Sequence, residues 1–177
     1  MSRRWQIVAV VFALALTAIL VLFRQRIASL GTSGYVGIFV ISVLANASII
    51  LPVPGWATVF TLGAVMDPFR VGVVAAAGGT IGEMNGYLLG YGGRARFERS
   101  PRYQQVERWM RRWGWLTVFV LALVPNPLFD LAGLASGALR YPVWKFIIFG
   151  GLGRTIKFLG YSYAGAWGSQ FLPEIFK

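Results

Sequence analysis

The chain has 177 residues, of which 56% are hydrophobic and 13% charged, with seventeen Lys and Arg against six Asp and Glu. That much apolar surface exceeds what one soluble core of this size can hide, so lipid must cover the rest. The absence of Cys excludes disulfides and thiolate metal sites, and the absence of His removes the commonest ligand and general base. No metal, no cofactor and no enzymatic activity are therefore expected.

In chain order, residues 7–23 form a continuous apolar run between Arg3, Arg4 and Arg24, Arg26, so residues 1–30 read as an N-terminal transmembrane helix with its flanks. A cleaved signal peptide competes with this reading. Its apolar region would be about 7 to 15 residues long and would precede small residues rather than arginines. No charged residue occurs between Arg26 and Asp67, a run well beyond the roughly 20 residues that one spanning helix needs. The first apolar arm, 35–51, ends where Pro52, Val53, Pro54 and Gly55 break any helix. The next arm, 56–66, would rise only about 17 Å, short of a bilayer core of roughly 30 Å, so the pair reads as a re-entrant hairpin. Non-helical backbone at that depth is tolerated where protein or a water-filled cavity surrounds it, which makes Pro52, Pro54 and Gly55 candidates for a working region.

Residues 71–91 form a plausible transmembrane helix with Glu83 and Asn85 inside it. Glu83 lies about 18 Å along that helix, near the bilayer midplane. A polar segment follows, in which seven arginines fall between Arg94 and Arg112. The positive-inside rule and anionic headgroups account for them, so nucleic acid is not an expected partner. Ser100 and Pro101 suit a helix start. Tyr103, Val106, Met110 and Trp113 recur at three- and four-residue steps, as in a helix lying on a membrane surface, though a plain basic connector fits as well. Two further short arms, 115–124 and 128–139, flank Pro125, Asn126 and Pro127 and read as a second hairpin, with Asp130 just past the break. The last block, 143–172, holds Arg154 and Lys157 three residues apart on one helix face.

The two halves correspond. Leu51-Pro52-Val53-Pro54-Gly55-Trp56 is answered by Val124-Pro125-Asn126-Pro127-Leu128-Phe129, while Gly78-Gly79, Tyr91 and Gly93 are answered at one constant offset by Gly150-Gly151, Tyr163 and Gly165. The expected fold is therefore an all-α, polytopic membrane protein with two inverted re-entrant helical hairpins, each followed by a transmembrane helix. Repeat 1 covers 35–93, a basic amphipathic connector 94–113 and repeat 2 114–165. Inverted repeats with broken elements at the midplane recur in transporters.

The run Val124-Pro125-Asn126-Pro127-Leu128-Phe129-Asp130-Leu131-Ala132-Gly133, followed by Gly137, Pro142, Trp144, Gly153 and Arg154, resembles the VTT domain of the DedA superfamily, the SNARE-associated Golgi proteins. It looks most like the vacuole-membrane-protein branch, over about residues 35–165, and Gly82-Glu83 is similar to the family's Gly-Glu. The resemblance implies a lipid substrate: family members are implicated in scrambling phospholipids between leaflets and in recycling polyprenyl-phosphate carriers. The chain departs from typical bacterial members, with Asn46 and Trp56 near where they carry acids and Ala122 and Leu128 where they carry arginines. Any protonatable role falls to Glu83 or Asp130.

The function expected is thus a lipid transporter of scramblase or flippase type, along a substrate path of Pro52, Pro54, Gly55, Glu83, Asn85, Pro125, Asn126, Pro127, Asp130, Arg154 and Lys157. Arg154 and Lys157 would meet the lipid phosphate. A plainer reading has the two acids and two bases neutralise one another and hold the hairpins in place. A proton- or ion-coupled solute transporter and a non-transporting membrane assembly factor are the alternative functions. The expected location is a bacterial plasma membrane, with the amino terminus and the segment from Arg94 to Arg112 in the cytoplasm.

Overall fold

The computed structural model describes residues 32–47, 55–92, 101–125 and 128–175, and these contain α-helices and no strand. In order they are α1 (Thr32–Ala47), α2 (Gly55–Gly63), α3 (Pro68–Gly92), α4 (Pro101–Leu123), α5 (Leu128–Ala138) and α6 (Val143–Ile175). The expected helix over 7–23 lies outside the described residues, as do Pro52, Pro54, Asn126 and Pro127.

Local chemistry sets the boundaries. Pro68 and Pro101 take the first helical position, where a missing N–H costs nothing. Asp67 caps α3, its carboxylate accepting the Arg70 N–H at 2.8 Å. Helix α5 ends in a Schellman arrangement: the Tyr141 N–H reaches the Ser136 carbonyl, the Arg140 N–H reaches Gly137, and Arg140 takes the left-handed conformation at φ 51°. Inside the helices the hydroxyls of Thr61, Thr80, Ser136 and Thr155 bond back to the carbonyl four residues earlier, so they need no outside partner. Helix α4 is broken at Trp113 (φ −135°, ψ 39°), which separates its basic part from a short apolar arm.

The long helices α3 and α6 run antiparallel, since Gly72 faces Leu159, Thr80 faces Gly151 and Gly79 faces Arg154. Helix α1 lies parallel to α3, with Phe39 and Ser42 beside Gly78 and with Val43 and Ala47 beside Gly82. The apolar arm of α4 lies parallel to α6 in the same way, with Trp115 against Phe149 and with Phe119 and Ala122 beside Gly153. The short helices cross between halves. Helix α2 packs chiefly on α6, and α5 packs on α3 as well as on α4 of its own half. Two apolar cores result, one around Ile38, Val59, Val71 and Phe158, the other around Tyr87, Val118, Phe129 and Phe146. Helices α1 and α4 both stop beside the middle of the long helices.

Helices α3 and α6 cover the two expected spans, yet among the described residues no helix is long and apolar enough to cross a membrane. Apolarity is what they lack. Helix α3 carries Arg70, Glu83 and seven glycines, and α6 carries Lys145, Arg154 and Lys157. The stripe on α4 also differs from expectation. Tyr103, Val106 and Met110 are buried against protein, in the core that includes Leu134 and Ala135, whereas Trp113 is 52% exposed. A helix docked on its own fold buries the same spacing that a helix on a membrane would.

Candidate functional site

Glu83 on α3 and Arg154 on α6 are 4% and 2% exposed and form an ion pair at 3.1 Å. An unpaired charge buried there would be strongly unfavourable, so each residue needs the other. Of the two bases that face this depth, Arg154 is the one that pairs. Its second terminal nitrogen donates to the Gly79 carbonyl, and its guanidinium stands 4.9 Å from the centre of the Phe129 ring. Its Nε is buried without a partner among the described residues. A single side chain therefore joins α3, α5 and α6 where the two halves meet.

The other charges are less enclosed. Asp130 is exposed in the first turn of α5, and Lys157, one turn beyond Arg154, is half-buried with its ammonium 5.7 Å from the Phe158 ring. All four charges lie within mutual electrostatic reach. The cluster thus has a closed part, Glu83 and Arg154, and a more open part, Asp130 and Lys157.

The remaining path residues sort differently. Gly55 opens α2 beside Ala45, at the edge of the first break. Asn85 is exposed, and its amide donates to the Ala47 carbonyl at 2.8 Å. That bond satisfies one of the carbonyls left over at the end of α1, which is a structural task. Pro125 is exposed just past α4. Sequence reasoning singled out neither Gly79 nor Phe129 as a partner of Arg154. Both lay in quoted motifs, Gly78-Gly79 and the run after Pro127, but nothing local in a sequence marks which carbonyl or ring a buried guanidinium will meet.

Among the described residues, the fold and site define an all-α arrangement of two helical halves tied through a buried ion pair. Residues 53–167 match the VTT domain, and the chain belongs to that family. It is similar to vacuole membrane protein KMS1 of Arabidopsis thaliana, 39% identical over 61 residues, and to vacuole membrane protein KMS2 of the same plant, 36% identical over 61 residues. Each match covers 32% of this chain and 15% of the relative. No solved structure matches the chain.

Proposed function

We propose that this is a membrane protein that lets phospholipids or polyprenyl-phosphate lipids exchange between leaflets, with no catalytic step. The observation that carries the reading is a cluster of four charges set between helices whose outer faces are apolar. Ile81 and Leu88 on α3, and Ile148, Leu152 and Ile156 on α6, all point outward. Such a surface is a liability in water and ordinary against lipid. A charge at bilayer depth costs roughly 3 kcal/mol, so four in one place call for a role. The matched relatives carry "vacuole membrane protein" in their names, which favours the same setting. We take the two breaks to be embedded as inverted re-entrant hairpins, and the seven arginines from Arg94 to Arg112 to face the cytoplasm of a bacterial cell.

Division of the cluster suggests a division of labour. Glu83 and Arg154 hold the halves together. Lys157 is the group a lipid phosphate reaches first, with the unmet Nε of Arg154 behind it and Asp130 close enough to keep binding weak. Acyl tails stay outside, along the apolar faces. Reconstituted in vesicles with leaflet-specific reporters, the protein should speed exchange of phospholipid or polyprenyl-phosphate headgroups without ATP. Lys157→Gln should slow exchange about tenfold or more, the loss expected for one charge-assisted hydrogen bond, while Arg108→Gln on the outer face of α4 leaves it unchanged. Equal rates with and without correctly inserted protein, for both lipid classes, would sink the proposal.

A further inference from the structure

The break in α4 is accompanied by a groove that the transport reading does not use. It has a volume of about 310 Å³ and is lined by Trp109, Trp113, Leu116, Thr117, Val120 and Leu121. Its chemistry changes along its length. At one end stand two tryptophans, with the Arg112 guanidinium 5.8 Å from the centre of the Trp113 ring. At the other end are Leu116 and Val120, one to two turns further along the apolar arm.

Positive charge gathers at the tryptophan end. Gly114 lies against the Tyr141 ring, which brings the turn after α5 beside the break and with it Arg140 and Lys145. Arg140 sits over Tyr91 at 5.5 Å and Lys145 over Trp144 at 5.3 Å, so three cations rest on aromatic faces at this end of the molecule. Glu107 is engaged by Arg111 at 2.8 Å. Arg108, Arg112, Arg140 and Lys145 have no carboxylate at ion-pair distance among the described residues.

We infer that this groove is a binding site for one anionic phospholipid, separate from the exchange path. One acyl chain lies along Leu116 and Val120, its upper part passes the two tryptophans, and the phosphate sits among Arg112 and its neighbouring cations. Aromatic residues at headgroup level and exposed arginines are the groups such a lipid meets at an interface, and a cleft of this size is at the small end of those that hold ligands. The proposal rests on the membrane reading above, though on none of the residues assigned to exchange.

The test uses the full chain in detergent with equal amounts of phosphatidylglycerol and phosphatidylcholine of the same acyl chains, read by native mass spectrometry. One phosphatidylglycerol should be retained in preference to phosphatidylcholine. Val120→Trp, which fills the groove, should abolish that retention at an unchanged thermal midpoint. Leu116→Phe is a smaller intrusion that serves if Val120→Trp fails to fold. Arg112→Gln should reduce the preference about fivefold, as expected for one arginine near an anionic headgroup. Equal retention of the two lipids by the wild type, or undiminished retention in the folded groove variants, overturns the proposal. So does absence of any retained lipid, the result if residues 7–23 cover the groove. Lys157→Gln should keep the bound lipid, so lost exchange with retention intact bears on the transport reading alone.

Discussion

Arg154 offers its nitrogens to three directions, and the described fold answers two of them, the Glu83 carboxylate and the Gly79 carbonyl. Removing either member of the ion pair strands the other in a buried site, for which a loss of about 3–5 kcal/mol is expected. Glu83→Gln and Arg154→Met should therefore each lower stability markedly, and the double substitution should recover part of the loss. A double-mutant cycle on unfolding in one detergent measures the coupling. Strictly additive losses would mean that the two groups do not hold each other. The sequence marked both residues as costly charges at similar depth and offered Glu83 two partners, Arg154 or Lys157, without choosing between them. Arg154 and Lys157 share a face and differ by one turn, so only the register of α3 against α6 decides which base Glu83 meets. Asp130 was legible as an acid beside a break; that it ends up exposed depends on how α5 lies across α3.

Glycine does most of its work here between elements. Helix α2 approaches α6 through Gly63 and Gly165, and α5 approaches α3 through Gly90 and Gly137; a Cβ on Gly165 would run into the Phe60 carbonyl, and one on Gly137 into that of Tyr87. Small residues at crossings allow helices to meet backbone to backbone. Gly37 and Gly160, by contrast, have open space around the position of a Cβ among the described residues. Gly165→Ala and Gly137→Ala should each lower stability by about 1–3 kcal/mol through forced separation of the helices. Gly37→Ala and Gly160→Ala should raise it by about 0.5–1 kcal/mol through helix propensity. Thermal midpoints in one detergent test the ordering, and a common sign for the two groups would refute it. Twenty-two glycines are visible in the sequence. Which of them face a neighbour is not, because glycines recur on more than one side of α3. No proline marks the break at Trp113, and only the change from basic to apolar residues after 113 hints at it, whereas the helix start at Pro101 follows from local chemistry.

For the molecule as a whole, the two halves have like parts in like relations. In each, the first helix lies parallel to the long one, the first glycine of Gly78-Gly79 or Gly150-Gly151 faces that first helix, and the second faces the other half's long helix. The direction of the helices sets an expectation for accessibility. Parallel α1 and α3 begin at one end, while the contact of Gly114 with Tyr141 brings the α4 break and the turn after α5 to the other. The chain has no native Cys, so single cysteines are clean reporters. Cysteines at Thr32 and Asp67 should label from one side of a membrane, and those at Trp113 and Arg140 from the opposite side. Labelling of either pair from both sides would rule out the embedded hairpins. The correspondence of halves could be read from the matched proline breaks and from glycines at a fixed offset, because both residue types are required by backbone geometry. The crossing of the short helices could not, because it is a choice of partner that leaves no local trace.

That crossing has a consequence for what counts as a unit of this protein. Helix α2 sits chiefly on α6 and α5 largely on α3, so a half taken alone would expose the seat meant for the other's short helix and would leave its own without its main support. Each half is in this sense a protomer that has exchanged an arm with its neighbour, as in a domain-swapped dimer. The connection from Gly92 to Pro101 makes the two protomers one backbone and fixes their ratio at one to one. Substitutions at the crossings therefore act as changes to a subunit interface: their damage falls on both halves at once, and a compensating change is to be sought in the half that was not altered.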